Sequence, residues 1–299
     1  MMHLAVLAAL VMSSAGALAS QAAVRVLSFN IRYGTANDGA HRWEARRDAV
    51  IGTIRDHAPH VLGVQEGLRF QLDELARALP GYRELGVGRD DGRTAGEYSA
   101  ILVDTARFSV LADGTFWYSD TPTVPGSMHW GNRITRVATW ARLLDRATGD
   151  TLRAYNTHWD HESQPSRVRS AELLLDRVRD DAGPNDRVLV MGDFNSDEAN
   201  PAFQRLVGTG DGVGSGAGVG AAARAGERST PVLRDTFRAR HPDATVVGTF
   251  NAFIGDSTAG KIDAILAGTN WSVLDAGIDR RRWGALWASD HFAVWAVVR

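Results

Sequence analysis

The sequence predicts an α+β protein in which mixed β-sheets carry helices on their outer sides. Three observations lead there. Apolar runs of strand length recur from residue 24 onward, runs with helical apolar spacing lie between some of them, and several successive strand-like runs are parted only by tight turns. Parallel neighbours need a crossover such as a helix, whereas neighbours joined by a turn run antiparallel, so the two kinds of connection together imply mixed sheets.

The first strand is 24–31, which alternates and ends in polar residues. Residues 43–57 follow with helical spacing of Val50, Ile51 and Ile54, and stop before Pro59. Residues 61–64 form a short buried strand closing on Gln65 and Glu66, and 70–79 are helical again, ending at Pro80-Gly81. Residues 99–103, 108–111, 138–144 and 152–156 read as strands, with turns at Asp113-Gly114 and Thr148-Gly149-Asp150. A helix over 167–179 buries Val168, Leu174, Leu175 and Val178. Residues 188–191, 262–266 and 292–298 supply further strands. Between them, 208–226 is rich in glycine and alanine with almost no apolar anchor, and is expected to be a mobile surface loop. The strands on either side of it read as one sheet system, so residues 23–299 are expected to form one domain.

Residues 1–22 read as an address. An apolar run over 4–19 ends in the small-x-small pattern Ala17-Leu18-Ala19, with a second cleavage possibility at Ser20-Gln21-Ala22, so a cleaved signal peptide and a secreted or periplasmic protein are expected. The run is short for a membrane span, and no stable span is expected. With 299 residues and 44% hydrophobic content the chain can bury a large core. A net charge of -2 supplies no general field for a nucleic-acid backbone. The absence of cysteine excludes disulfides, thiolate metal sites and a cysteine nucleophile.

Polar residues of complementary type recur at strand ends: Asn30, Glu66, Glu97, His158, Asp193 with Asn195, Asp263, and Asp290 with His291. One such residue is usually a turn or a cap. Two carboxylates, an amide and an imidazole aimed from strand ends form a phosphoryl-transfer constellation. The ordered motifs Ser28-Phe29-Asn30, Val64-Gln65-Glu66, Gly96-Glu97-Tyr98-Ser99, Asn156-Thr157-His158, Gly192-Asp193-Phe194-Asn195, Lys261-Ile262-Asp263 and Ser289-Asp290-His291 resemble the endonuclease/exonuclease/phosphatase superfamily across essentially the whole mature chain. Asn30-Ile31-Arg32-Tyr33 and Gly114-Thr115-Phe116-Trp117 look like an exported bacterial branch of it.

The resemblance implies a DNase I-like four-layer α/β/β/α sandwich of two mixed sheets, with the site at one end of the sheets. It also fixes expected roles. Glu66 is a hard oxygen ligand for Mg2+ or Mn2+, with Asn30 and Asp290 completing or supporting the shell. Asp193 is the general base toward water, and Asn195 holds the phosphate or that water in line. His158 and His291 donate to the non-bridging oxygens, with Glu97 orienting the first, Asp263 the second, and each acid raising its partner's pKa.

Plainer readings stand beside these. Glu66 could cap the helix that follows, and Asp193 with Asn195 could form an Asx-turn. His158 and His161 could be a zinc pair, but no third nitrogen or sulfur ligand has suitable spacing. Trp43, Trp117, His129, Trp130 and Trp159 either wall a specificity pocket or pack at the surface. Arg136 either grips a second phosphate or pairs with a surface acid.

The favoured function is hydrolysis of a small, sugar- or lipid-linked phosphoester, as phosphodiesterase or phosphatase, by direct in-line water attack in a monomer. An extracellular nuclease is the alternative, set back by dispersed arginines. A non-catalytic binding protein on the same fold is a third reading, disfavoured because every catalytic role is filled. A calcineurin-like phosphoesterase lacks its opening Asp-x-His and its Gly-Asn-His here.

Overall fold

The computed structural model describes residues 23–181, 186–208 and 233–299, so the expected address (1–22) and nearly all of the glycine-rich stretch (209–226) lie outside the described residues. In chain order the elements are β1 (Val24–Asn30), α1 (Trp43–His57), β2 (Val61–Gly67), α2 (Arg69–Ala78), β3 (Tyr82–Leu85), β4 (Tyr98–Asp104), β5 (Phe108–Trp117), β6 (Val137–Asp145) and β7 (Thr151–His158). There follow α3 (Gln164–Asp181), β8 (Arg187–Asp193), α4 (Pro201–Val207), β9 (Leu233–Asp235), α5 (Thr236–Arg240), β10 (Asp263–Gly268), β11 (Val273–Asp279) and β12 (Ala293–Val298).

The strands form two six-stranded sheets, ordered β11-β12-β1-β2-β4-β3 and β5-β6-β7-β8-β10-β9. β1 with β2 and β7 with β8 run parallel, each pair bridged by a long helix (α1 and α3), while the other neighbours are antiparallel. Both sheets are therefore mixed, as the two kinds of connection required.

Side-chain alternation builds the layers. On β1, Leu27 and Phe29 face outward and pack with Val50 and Ile54 of α1 and Leu72 and Leu75 of α2. On the second sheet, Tyr155, Val188 and Val190 meet Leu174 and Val178 of α3 and Phe203 of α4. The opposite faces, with Val24, Val26, Val61, Ile101, Leu152, Leu189, Met191 and Ile265, form the core between the sheets. This is the four-layer α/β/β/α sandwich. α1 ends where expected: Ala58 takes a left-handed conformation as C-cap and Pro59 forbids another turn.

One expected turn is corrected. Asp113 and Gly114 lie inside β5, which pairs with β6 along its whole length with a register shift between Val110 and Ala112. The missing side chain of Gly114 makes room for the Trp140 indole, since a Cβ there would lie 2.9 Å from the ring nitrogen, and strand pairing overrides the local turn preference. Among the described residues no helix is long and apolar enough to cross a membrane.

Candidate active site

The inner faces change character along their length. Reading toward one end of the sandwich, β1 presents Val24, Val26, Ser28 and Asn30; β7 presents Leu152, Ala154, Asn156 and His158; β8 presents Leu189, Met191 and Asp193. β10 runs the other way and so brings Asp263 to the same end. A polar seam marks the transition. Asn156 donates to the backbone oxygens of Val64 (2.9 Å) and Ala100 (2.7 Å), and Gln65 donates to Asn156 Oδ1 (2.6 Å) and Ser28 Oγ (3.2 Å). These bonds tie the sheets together directly beneath the candidate site.

Glu66 reaches the site by a backbone irregularity. Strict alternation after Val61, Gly63 and Gln65 would turn Glu66 outward, but the register shifts between Gln65 and Gly67 and Glu66 sits at φ +63. Its carboxylate then accepts from Asn30 Nδ2 (3.0 Å) and from the Tyr33 N–H (3.0 Å). It caps no helix, because Leu68 precedes α2 and Gln71 supplies the capping oxygen to Leu68 N–H.

Asn30 is a hub. Its amide nitrogen donates to Glu66 Oε1 and to Asp193 Oδ2, 3.0 Å each, and its oxygen accepts from Arg32 N–H at 3.0 Å. Two carboxylates on one side and an N–H on the other fix this amide orientation. Asn30 therefore holds the two acids in position, and its oxygen keeps a second lone pair beside the bond from Arg32 N–H. The aspartate it holds is fully buried, and burial together with the Asp263 charge pushes Asp193 up to about 7. Asp193 Oδ1 accepts from Asn195 N–H (2.9 Å), the anticipated Asx-turn, and Asn195 Nδ2 is anchored on the Trp159 carbonyl (2.9 Å). Gly192 before it allows close strand contact, since a Cβ would lie 2.1 Å from the Thr157 oxygen.

The two histidines flanking Asp193 differ in charge. His291 Nδ1 lies 2.9 Å from Asp263 Oδ2 and its Nε2 is 3.8 Å from Asp193. Burial works against the imidazolium, but the charge and hydrogen bond of Asp263, helped by Asp193 and Asp290, outweigh it and hold His291 well above its ordinary value. His158 behaves oppositely. Its Nδ1 is 3.9 Å from Glu97, beyond hydrogen-bond length, while Arg89 grips both Glu97 oxygens at 2.7 and 2.8 Å. A guanidinium fork outcompetes an imidazole for one carboxylate, so the expected Glu97 to His158 pairing is replaced by Glu97 to Arg89. Burial first, then the charges of Arg136 and Arg89, push His158 well below its ordinary value, the reverse of the expected rise. Its Nε2 lies 3.5 Å from Asp193.

These groups open into one cavity of about 490 Å3, lined also by Arg32, Tyr33, Arg89, Ile134, Arg136, His161, Asn195, Phe250, Ile262 and Asp290. Arg136 is buried (3% exposed) and its Nη2 lies 2.8 Å from His161 Nδ1, which removes His161 as a zinc partner of His158. Its acid partner is the buried Asp160, 3.6 Å away, not a surface acid. The aromatic wall is a correction: among the described residues, the cavity lining includes none of Trp43, Trp117, His129, Trp130 and Trp159. Trp159 is fully buried with its N–H toward Tyr118, Trp117 donates to the Arg89 carbonyl, and Trp130 donates to Asp120. Each indole N–H found its partner within the protein, which turned the ring away from the cavity.

One corner of the cavity gathers residues that could hold a metal ion. Glu66, His158 and Asp193 each place a ligand atom within 4.8 Å of the others, two of them hard carboxylate oxygens. Asp263 and His291 also come that close to Asp193, but their mutual hydrogen bond marks them as an oriented pair. Asp290 also lines the cavity; its Oδ1 accepts from Ser289 Oγ (3.1 Å), and burial raises its pKa.

Three residues lacked an assigned role in the sequence. Arg89 was hidden because its pairing with Glu97 spans an irregular loop. Phe250 reaches the cavity through a single backbone bridge to His291, which no periodicity signals. Arg46 of α1 is fully buried and donates to the carbonyls of Ile31, Arg32 (2.8 Å), His41 (2.9 Å) and Ala288 (3.2 Å), clamping the loop after β1 to the loop before β12. A charged residue on the apolar side of a helical pattern was the available signal.

Known proteins share this arrangement. The profile of the Endonuclease/Exonuclease/phosphatase family matches residues 27–291. An endonuclease/exonuclease/phosphatase structure from Bacteroides vulgatus is 32% identical over 93% of this chain and 98% of its own, with a TM-score of 0.80. A Bacteroides thetaiotaomicron mannosyl-6-phosphatase is 29% identical over 92% and 99%, at 0.78. D. rerio TDP2 complexed with single-strand DNA product, 14% identical over 93% and 99% at 0.68, shares the fold alone. With the match running from within the first strand to the histidine that precedes the last, the chain belongs to the endonuclease/exonuclease/phosphatase family.

Proposed function

We propose that this protein is a metal-dependent phosphoester hydrolase that acts outside the cytoplasm, as a monomer, on a small sugar- or lipid-linked phosphoester. The observation that carries the reading is the buried Asp193 between a charged and a neutral histidine in a compact cavity. A carboxylate whose pKa is about 7 is matched to taking a proton from water near neutral pH. The Asx-turn fixes that carboxylate through Asn195 N–H, and Asn30 holds its other oxygen.

His291 donates an N–H to a non-bridging phosphoryl oxygen, where charge builds in the transition state, and Asp263 keeps it protonated and aimed. His158, neutral, offers a second donor. Arg136 and Arg89 supply fixed positive charge to the bound phosphoryl group. Glu66 would hold a divalent ion, with Asp193, His158 and Asp290 nearby, and the ion supplies positive charge to the phosphoryl oxygens when bound. Water attacks phosphorus as its proton passes to Asp193, the bond from phosphorus to the ester oxygen breaks, the alcohol leaves with a proton taken from solvent, and no residue here is needed as a covalent nucleophile.

The mannosyl-6-phosphatase likeness supports a sugar phosphate, and the apolar run over 4–19 supports export. The test is phosphate release by the purified protein with Mg2+ or Mn2+ from hexose phosphates, phospholipid headgroups and nucleic acids, at low and physiological salt. Turnover of the small esters with slight salt dependence is expected. Cleavage confined to nucleic acid and falling steeply with salt would replace this reading with a nuclease.

A further inference from the structure

We propose that Phe250 selects the alcohol portion of the substrate, its ring serving as a platform for a ring-shaped, hydroxyl-bearing group such as a hexose; this rests on the phosphoester reading above. The backbone beneath it is pinned to the catalytic strands. Phe250 forms an isolated bridge with His291, Phe292 N–H donates to Thr249 O (2.7 Å), and Asn251 N–H donates to Asp290 O (2.6 Å). Thr249 Oγ1 accepts from both Ile262 and Asp263 N–H at 3.0 Å, and Asn251 Nδ2 donates to Ser289 O at 3.1 Å. Phe250 is thus fixed relative to Asp263, Asp290 and His291.

Its side chain is nevertheless open. Phe250 is 39% exposed and lines the cavity, and its ring meets that of His291 edge-on with centres 5.1 Å apart. The lining otherwise includes cationic groups (Arg32, Arg89, Arg136, His291), carboxylates (Glu66, Glu97, Asp193, Asp290) and two apolar side chains (Ile134, Ile262). A phosphoryl group takes the cationic part, which leaves the carbon skeleton of its ester for the apolar side chains and the free ring. Sugar rings carry faces of C–H groups that pack on an aromatic plane and hydroxyl edges that need polar partners. An acyclic alcohol offers no such face.

The experiment compares kcat/KM for a hexose 6-phosphate and for glycerol 3-phosphate in the parent, Phe250→Ala, Phe250→Leu and Phe250→Tyr. Removing the ring is expected to lower the hexose value by about tenfold, the size of one good aromatic contact, and the glycerol value by less than about twofold. Phe250→Tyr is expected to restore the hexose value. Phe250→Leu keeps an apolar side chain without a flat face and carries the same comparison should the alanine variant not fold. Equal losses on both esters would mean that Phe250 acts only by packing on His291, and no loss on the hexose ester would remove the platform; either overturns the inference. If the parent hydrolyses neither ester, the sugar-phosphate form of the phosphoester reading fails by itself. Calorimetric binding of the hexose phosphate then decides the platform, with about tenfold weaker binding expected for Phe250→Ala and equal binding refuting it.

Discussion

Arg46→Met probes how the two loops that carry the site are held. The side chain lies in the core, donates to four backbone carbonyls, and packs its guanidinium against Trp43 (5.2 Å) and Phe253 (5.7 Å). Burial lowers its pKa to about 10, with Asp290 opposing, which still leaves it charged at neutral pH. Methionine fills much of the volume but strands four acceptors, each worth ~1–3 kcal/mol when left without a donor. Relief from burying a charge offsets several kcal/mol of that sum, so the net loss should be ~3–5 kcal/mol, as for other broken buried charge networks. That is a large fraction of the stability of an ordinary domain. Because Arg32 and Ala288 lie within two residues of Asn30 and Asp290, the loops should also shift, and a displacement of about 1 Å is enough to lower kcat roughly 100-fold. Urea unfolding gives the first number and steady-state kinetics the second. Arg46→Lys, with three donors for four acceptors, should fall between parent and methionine variant in both. A methionine variant within about 1 kcal/mol of the parent and with parental kcat would refute the clamp.

Asp193→Asn, His158→Ala and His291→Ala should each lower kcat by about 100-fold or more, because proton transfer and charge stabilisation are lost, and His291→Ala should also destabilise the fold by ~3–5 kcal/mol because it strands the buried Asp263; near-parental turnover in any two would sink the assignment. Glu66→Gln should weaken Mn2+ binding, with activity partly restored at high Mn2+, and superimposable titration curves would exclude Glu66 as a ligand. The buried His60, whose Nδ1 accepts from Arg25 N–H (3.1 Å), has its pKa pushed down by burial to about 4. The unfolded chain takes up this proton near pH 6.5 and the native state only near 4, so the stability is present above 6.5 and is lost as pH falls between those values, by at most ~3 kcal/mol. His60→Gln should flatten that part of the pH–stability curve, and equal slopes in urea melts between pH 7.5 and 4.5 would contradict it.

Much of this was legible because burial alternates along strands. The limits of β1, α1 and β12 follow apolar spacing to within a residue or two, and Asn30, His158, Asp193 and Asp263 could be collected because each sits where an inward-facing row turns polar. Four of the unforeseen elements, β3, β9, α4 and α5, are too short to establish a period, and β11 buries only Ala276, so its apolar residues do not alternate with polar ones. Glu66 was found at the right place for an incomplete reason: its motif was visible, but the bulge that aims it was not. The pairing of Glu97 failed because a loop arginine eight residues earlier won the carboxylate, a competition that depends on geometry and leaves no mark in spacing. The tryptophans were misplaced for the same reason, their N–H partners being backbone and side-chain oxygens brought in by the fold.

The order of strands has a consequence for biosynthesis. The second sheet is built from residues 108–268 in one stretch, whereas the first takes its strands from both before and after it, with β12 inserted between β11 and β1. Asp290 and His291 directly precede β12, and the bonds from Asn30 to Asp193 and from His291 to Asp263 both cross from one sheet to the other. A nascent chain lacking that strand can pair most of its backbone, yet it holds Asp263 without its histidine and Asp193 without its cationic neighbour. The two sheets can therefore pair before the candidate site is whole, and the site closes only when Asp290 and His291 are brought in with the strand that fills the gap between β11 and β1.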